Sequence, residues 1–282
     1  MTRLLLILAL FGLAGAAPAQ DRAEYNRPVA PFRIAGNLYY VGTAGIASYL
    51  ITDPDGHVLI DGATRESADQ IAANIRALGF RIEDVRLLLQ THAHWDHVGG
   101  LAALKRASGA RLLASDGDRE TLESGRTNYR DDVGTFPPVA VDAVIGDGEI
   151  VRLGDTAITA RLTPGHTKGG TSYTLTVTER GRPLDVLIAC SLTVANQRLV
   201  GDPLYPDAAR DFETTFTRLA ALHADIFLAG HTDSFRFERK RARLLAGNRF
   251  AFVAPAELTA QLARARAAFA QELARQRSAA AD

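Results

Sequence analysis

The sequence predicts a layered α/β domain, on three observations. Short apolar runs of β character alternate with stretches of helical period. Histidine-bearing polar motifs follow directly on several of those runs. Neither a tandem repeat nor a low-complexity linker interrupts residues 20–282, so a single domain is expected to carry them.

Taken in order, residues 20–35 read as an extended lead-in with scattered prolines. Strand-like runs follow at Leu38–Val41, Ala47–Ile51 and His57–Ile60, and Asp53-Pro54-Asp55-Gly56 supplies turn chemistry between the last two. From Glu66 to Leu78 the period changes. Ala68, Ile71, Ala72 and Ile75 share one helical face, and Gly79 is a natural stop. Val85–Leu89 reads as a buried strand, 101–107 as a helix and Arg111–Ala114 as a strand. Residues 116–147 are polar and read as irregular, a loop that borders a cleft. Alternation returns at Ile158, Ala160 and Leu162, then at Tyr173, Leu175 and Val177, and Leu184–Ala189 is a further strand. Phe212, Phe216 and Leu219 mark an amphipathic helix, and Ile226–Ala229 a short strand. Leu258, Leu262, Phe269 and Leu273 mark an amphipathic C-terminal helix.

Composition narrows the function classes. The 32 basic and 32 acidic residues cancel, so no basic excess favours nucleic acid or an anionic membrane surface. A single cysteine, Cys190, rules out an intramolecular disulfide. At the N-terminus, Arg3 precedes the apolar stretch Leu4–Phe11, and small residues run to Ala19. This is the pattern of a cleaved secretory leader over residues 1–19, too short in its apolar part for a permanent anchor. A monomer in the periplasm, or one secreted, is the corresponding expectation.

The chemistry is concentrated in His92-Ala93-His94-Trp95-Asp96-His97, which places three imidazoles and a carboxylate within six residues. Packed together without a cation, such groups leave polar atoms in need of partners. Neutral imidazole and carboxylate are the donors zinc accepts. Two further strand ends deliver Thr163-Pro164-Gly165-His166-Thr167 and Gly230-His231-Thr232. Six ligands suit two adjacent zinc ions (Zn2+). His92 and His94, two apart, can face one side, while Asp96 and His97 turn toward a neighbouring site.

Together, H-x-H-x-D-H, T-P-G-H-T and the late G-H-T resemble the metallo-β-lactamase superfamily in order and separation. The resemblance implies a four-layer αββα sandwich with a dinuclear metal site at one edge of the two sheets. It implies that His92, His94 and His166 hold one zinc, and Asp96, His97 and His231 the other. Between His166 and His231, glyoxalase II-like members and many lactonases carry a bridging aspartate. This chain instead reads Ile188-Ala189-Cys190-Ser191-Leu192-Thr193. A Ser-Leu-Ser/Thr segment there is similar to subclass B3 enzymes, which implies that Ser191 and Thr193 hold the carboxylate of a small-molecule β-lactam. The implied reaction is opening of the β-lactam ring of penicillins, cephalosporins or carbapenems by a zinc-bound hydroxide that Asp96 orients. A hydrolase of another small ester or lactone, such as an acyl-homoserine lactone, and a non-catalytic zinc-binding protein stand as the alternatives.

Cys190 departs from the aspartate of many subclass members. Because the second triad already supplies three ligands, it is read as a small buried thiol, with zinc ligation the alternative. Asp61 reads as a partner to a metal-binding histidine or as a turn-former. Lys168 reads as solvated, with attraction of a carboxylate the alternative, Thr91 and Thr167 as bonding within their loops, and His57 and His223 as structural or surface residues.

Overall fold

A computed structural model of the chain describes residues 23–281. The expected leader lies outside the described residues. Twelve strands form two sheets among the described residues: β1 (Phe32–Ala35), β2 (Leu38–Tyr40), β3 (Tyr49–Asp53), β4 (Gly56–Ile60), β5 (Val85–Leu89), β6 (Arg111–Ala114), β7 (Ala143–Val144), β8 (Ile150–Leu153), β9 (Thr156–Leu162), β10 (Thr171–Glu179), β11 (Arg182–Ala189) and β12 (Ile226–Ala229). The helices that pack with them are α1 (Ala68–Ala77), α2 (Trp95–Val98), α3 (Leu101–Ser108), α4 (Asp116–Ser124), α5 (Ala208–Ala220), α6 (Phe237–Leu245) and α7 (Glu257–Ala281).

The first sheet runs β1 to β7 in sequence order, the second β12-β11-β10-β9-β8. β1 to β4 form an antiparallel meander through short turns, and β4, β5, β6 and β7 pair in parallel across helical crossovers. In the second sheet only β11 and β12 are parallel. Helices flank the two sheets, the αββα architecture that the motifs implied.

The layers follow from strand periodicity. In β3 and β4, Ile51 and Ile60 join Ile158, Tyr173 and Leu175 of the second sheet in one apolar cluster. Their neighbours Leu50 and Leu59 point the other way, into a second cluster with Ile71 and Ile75 of α1 and Leu101 and Leu104 of α3. In β5, Val85, Leu88 and Leu89 are buried while Arg86 is exposed, so the strand is covered most fully at the end that leads into the histidines. Each such fully buried side chain contributes roughly 1.5–3 kcal/mol.

Five elements differ from the sequence reading. The lead-in contains β1, and β8 precedes the alternation seen at Ile158. Phe237–Leu245 is helical, although five of its nine residues are charged. The stretch read as irregular from 116 contains α4 and β7. Ser115-Asp116-Gly117-Asp118 carries an N-terminal helix signature, but Gly117 and the polar run that follows obscure the helical period. Among the described residues no helix is long and apolar enough to cross a membrane.

Candidate metal centre

Five strands end at one edge of the sandwich. β4 leads into Asp61, β5 into Gln90–His97, β9 into Thr163–Thr167, β11 into Cys190–Thr193 and β12 into Gly230-His231. Two buried tyrosines brace the sheets beneath this edge. Tyr49 of the first sheet donates its hydroxyl hydrogen to the Ala229 carbonyl at 2.7 Å, and Tyr173 of the second donates to that of Gln90 at 2.9 Å.

The histidines gather in two groups. The ligand atoms of His92, His94 and His166 lie within 4.8 Å of one another, as do those of Asp96, His97 and His231. In the second triad, Nε2 of His97 is 3.2 Å from Nε2 of His231, and both are 3.4 Å from Oδ2 of Asp96. Donors about 2.0–2.1 Å from a tetrahedral ion stand about 3.3–3.4 Å apart, so this triangle has coordination size. His92 and His97 pack against each other between the triads, with ring centroids 4.0 Å apart and planes tilted by 43°.

The imidazoles are oriented for ligation. Asp61 accepts from the Thr91 backbone N–H and hydroxyl, each at 2.7 Å. A hydroxyl that donates to a carboxylate has only lone pairs left for Nδ1 of His92, 3.1 Å away. Nδ1 of His92 therefore carries the hydrogen, and Nε2 presents its lone pair to the cluster. His166 is set the same way, its Nδ1 donating to the Thr193 carbonyl at 2.7 Å. Nε2 of His92 and of His94 are buried without a hydrogen-bond partner. Unpaired buried acceptors are costly, and a cation would satisfy them.

Electrostatics agree. Burial, reinforced by the neighbouring imidazoles, holds His92 well below the ordinary histidine range, and burial takes His166 down to about 3. His94 is likewise held well below, by burial and by His166. All three are neutral donors. Burial opposes charge on Asp96, yet His97 and His231 keep it well below the usual carboxylate range. Burial also opposes charge on His97, but Asp96 and Asp61 outweigh it and raise His97 to about 10. The first triad is thus a neutral nest of lone pairs, and the second carries a carboxylate that calls for positive charge.

Asp61 partners both Thr91 and, with its Oδ2 3.6 Å from Nδ1, His97. It also takes a left-handed conformation, φ 63°. Cys190 belongs to neither triad. Its thiol is buried and pushed well above its usual range by desolvation, which argues against ligation as thiolate. Ser191 and Thr193 bring their hydroxyls to 3.0 Å from each other. They line a cleft of about 600 Å³ together with His92, His166, Asp96, His97 and His231 and the apolar Leu192, Val194 and Phe227. Lys168 is half-buried rather than solvated, its ammonium 4.7 Å from the centre of the Tyr129 ring. His57 packs on Phe80, and His223 lies beside Asp225.

Some site residues escaped the sequence reading. Gln261 and Arg264 of α7 line the far wall of the cleft. Arg130 donates to the Ala195 carbonyl and pairs with Asp132 at 2.7 Å, tying the 125–140 segment to the Ser191–Thr193 loop. Asp118 is fully buried between two ligand loops. Burial pushes it up to about 6 against the hydrogen bonds it accepts. No local pattern marks the Arg130–Ala195 contact or those of Asp118 to the histidine loops, because they join segments distant in sequence.

Residues 41–231 match the family described as the metallo-beta-lactamase superfamily. The chain belongs to that superfamily. Among solved structures, BJP-1, a subclass B3 metallo-beta-lactamase of Bradyrhizobium japonicum, is 39% identical, with 92% of this chain and 98% of that one aligned at a TM-score of 0.86. The FEZ-1 metallo-beta-lactamase of Legionella gormanii is 36% identical over 89% and 98% of the two chains, at a TM-score of 0.87. Among curated relatives, a hydroxyacylglutathione hydrolase of Bradyrhizobium sp. is 30% identical over 129 residues, 44% of this chain and 41% of that protein. An acyl-coenzyme A thioesterase of Gallus gallus is 33% identical over 96 residues, 29% of this chain and 35% of that protein. The chain thus spans about two fifths or less of the length of these curated relatives.

Proposed function

We propose that this superfamily member is a zinc-dependent hydrolase that opens the β-lactam ring. His92, His94 and His166 would hold one zinc, and Asp96, His97 and His231 a second. The observation that carries the substrate reading is the pair of hydroxyls on Ser191 and Thr193, placed in the cleft that His92, His166 and the second triad also line. Where a bridging carboxylate would otherwise stand, this chain has the buried neutral thiol of Cys190. Support also comes from structures of subclass B3 enzymes, 36–39% identical to this chain over about nine tenths of its length.

Bound zinc would supply Lewis-acid polarisation of the scissile carbonyl and a hydroxide nucleophile at neutral pH. Asp96 accepts a hydrogen bond from the attacking water and directs its lone pair at the carbonyl carbon. Ser191 and Thr193 donate to the substrate carboxylate and fix the ring between the triads. Leu192, Val194 and Phe227 form an apolar wall for the drug's side arm and keep water from that part of the cleft. The leader-like pattern over residues 1–19 supports an activity outside the cytoplasm.

The test is turnover by the purified mature protein of a chromogenic cephalosporin, a penicillin and a carbapenem, beside an acyl-homoserine lactone and a glutathione thioester. Cephalosporin hydrolysis that a chelator abolishes and zinc restores is expected. Turnover confined to the lactone or thioester would overturn the substrate reading, and full zinc loading without any turnover would indicate a binding protein.

A further inference from the structure

We infer that Asp118 is a positioning residue for the first triad, its carboxylate joining the loop that carries His92 and His94 to the loop that carries His166. Those loops leave different sheets, β5 in the first and β9 in the second. The three imidazoles keep coordination spacing only if the loops keep register. Asp118 sits between them, fully buried. Its Oδ2 accepts from the backbone N–H of Ala93, between His92 and His94, at 2.9 Å. The same oxygen accepts from the hydroxyl of Thr167, next after His166, at 3.1 Å, and from the Gln90 amide at 3.4 Å. Its Oδ1 accepts from the Gly169 N–H at 3.0 Å.

All four partners are donors, and an ionised carboxylate offers only acceptors, so the match is complete. An amide would turn N–H groups toward at least one of these donors and leave buried donors unpaired. The backbone is shaped around the contact. A Cβ on Gly117 would lie 2.6 Å from the Lys168 carbonyl oxygen, and one on Gly169 would lie 2.2 Å from the Asp118 nitrogen. Two glycines therefore let the first turn of α4 close onto the His166 loop. Ser115 adds a hydroxyl bond to the Gly169 carbonyl.

Asp53 provides a matched control. Its buried carboxylate also links the two sheets, accepting from the Thr156 N–H at 3.0 Å and hydroxyl at 2.9 Å, but at the far end of β4 from the site. The experiment compares wild type, Asp118→Asn and Asp53→Asn. Zinc affinity is read by competition with a chromophoric chelator, the visible absorption of the cobalt(II)-substituted proteins reports ligand geometry, and thermal unfolding is followed on the metal-free forms.

The inference rests on the proposed metal centre. It predicts that Asp118→Asn weakens the tighter zinc step at least tenfold and alters the cobalt spectrum, while Asp53→Asn changes neither despite a comparable loss of thermal stability. Affinity within twofold of wild type and an unchanged spectrum for Asp118→Asn would overturn it, as would equal losses in Asp53→Asn. Should Asp118→Asn not fold, Thr167→Val removes one of the four bonds and must still weaken zinc about threefold. A wild type that takes up no metal would overturn the metal-centre reading itself, and this inference with it. A wild type that binds two ions beside an unaffected Asp118→Asn overturns the inference alone.

Discussion

Asp61 acts on the site through another side chain. Its carboxylate takes the Thr91 hydroxyl hydrogen, and that fixes which nitrogen of His92 faces the cluster. Asp61→Asn retains a residue type that tolerates φ 63° but removes an acceptor. It should therefore weaken zinc binding 10- to 100-fold with a small change in metal-free stability, measured by chelator competition and thermal unfolding. Asp96 differs because it stands inside the second triad and is proposed to orient water. Asp96→Ala should lower kcat/KM at least a hundredfold while metal-free thermal stability stays near wild type. Near-wild-type turnover would refute its assigned role. The six clustered side chains were legible in the sequence because each sits in a short motif at a strand end. Asp61 was half legible, since a carboxylate after an apolar run serves a turn as readily as a histidine. The Thr193 carbonyl that orients His166 was not legible, because backbone groups leave no mark in side-chain patterns.

At the scale of elements, the ends of β12 and β9 are built by close approach. A Cβ on Gly230 would lie 2.5 Å from Cε1 of His97, so the glycine makes room for a ligand ring from another loop. Gly230→Ala should displace His97 and cut zinc-dependent turnover at least a hundredfold. Cobalt(II) absorption of the substituted protein checks whether the second triad is the part disturbed. Gly165 is constrained twice, by φ 128° and by the Phe212 ring 2.8 Å from where its Cβ would stand. Strands with long apolar or alternating runs, such as β5, β9 and β10, declared themselves in the sequence. α4 and α6 did not, since helices dense in charge or glycine are held by tertiary contacts more than by a clean apolar stripe.

Across the whole molecule, the terminal helix supports the site from a distance. Phe269 of α7 packs on Phe212 and Phe216 of α5, with ring centroids 5.5 and 5.6 Å away, and Phe212 underlies the turn that presents His166. Phe269→Ala should cost about 3–5 kcal/mol in denaturant unfolding, through lost burial and the cavity left behind. Bound metal stabilises the fold by linkage, because an unfolded chain offers no assembled triad. The sandwich places both triads at one edge by bringing together the ends of β5, β9 and β12, an assembly that the order of the motifs implied and that local periodicity alone does not contain. The central claim is that the two triads form a paired metal centre. Its most direct test is the zinc content of purified protein after dialysis against trace zinc, by elemental mass spectrometry. The account predicts two ions per chain, falling to one when His231 is replaced by alanine; a wild-type value of zero or one would contradict it.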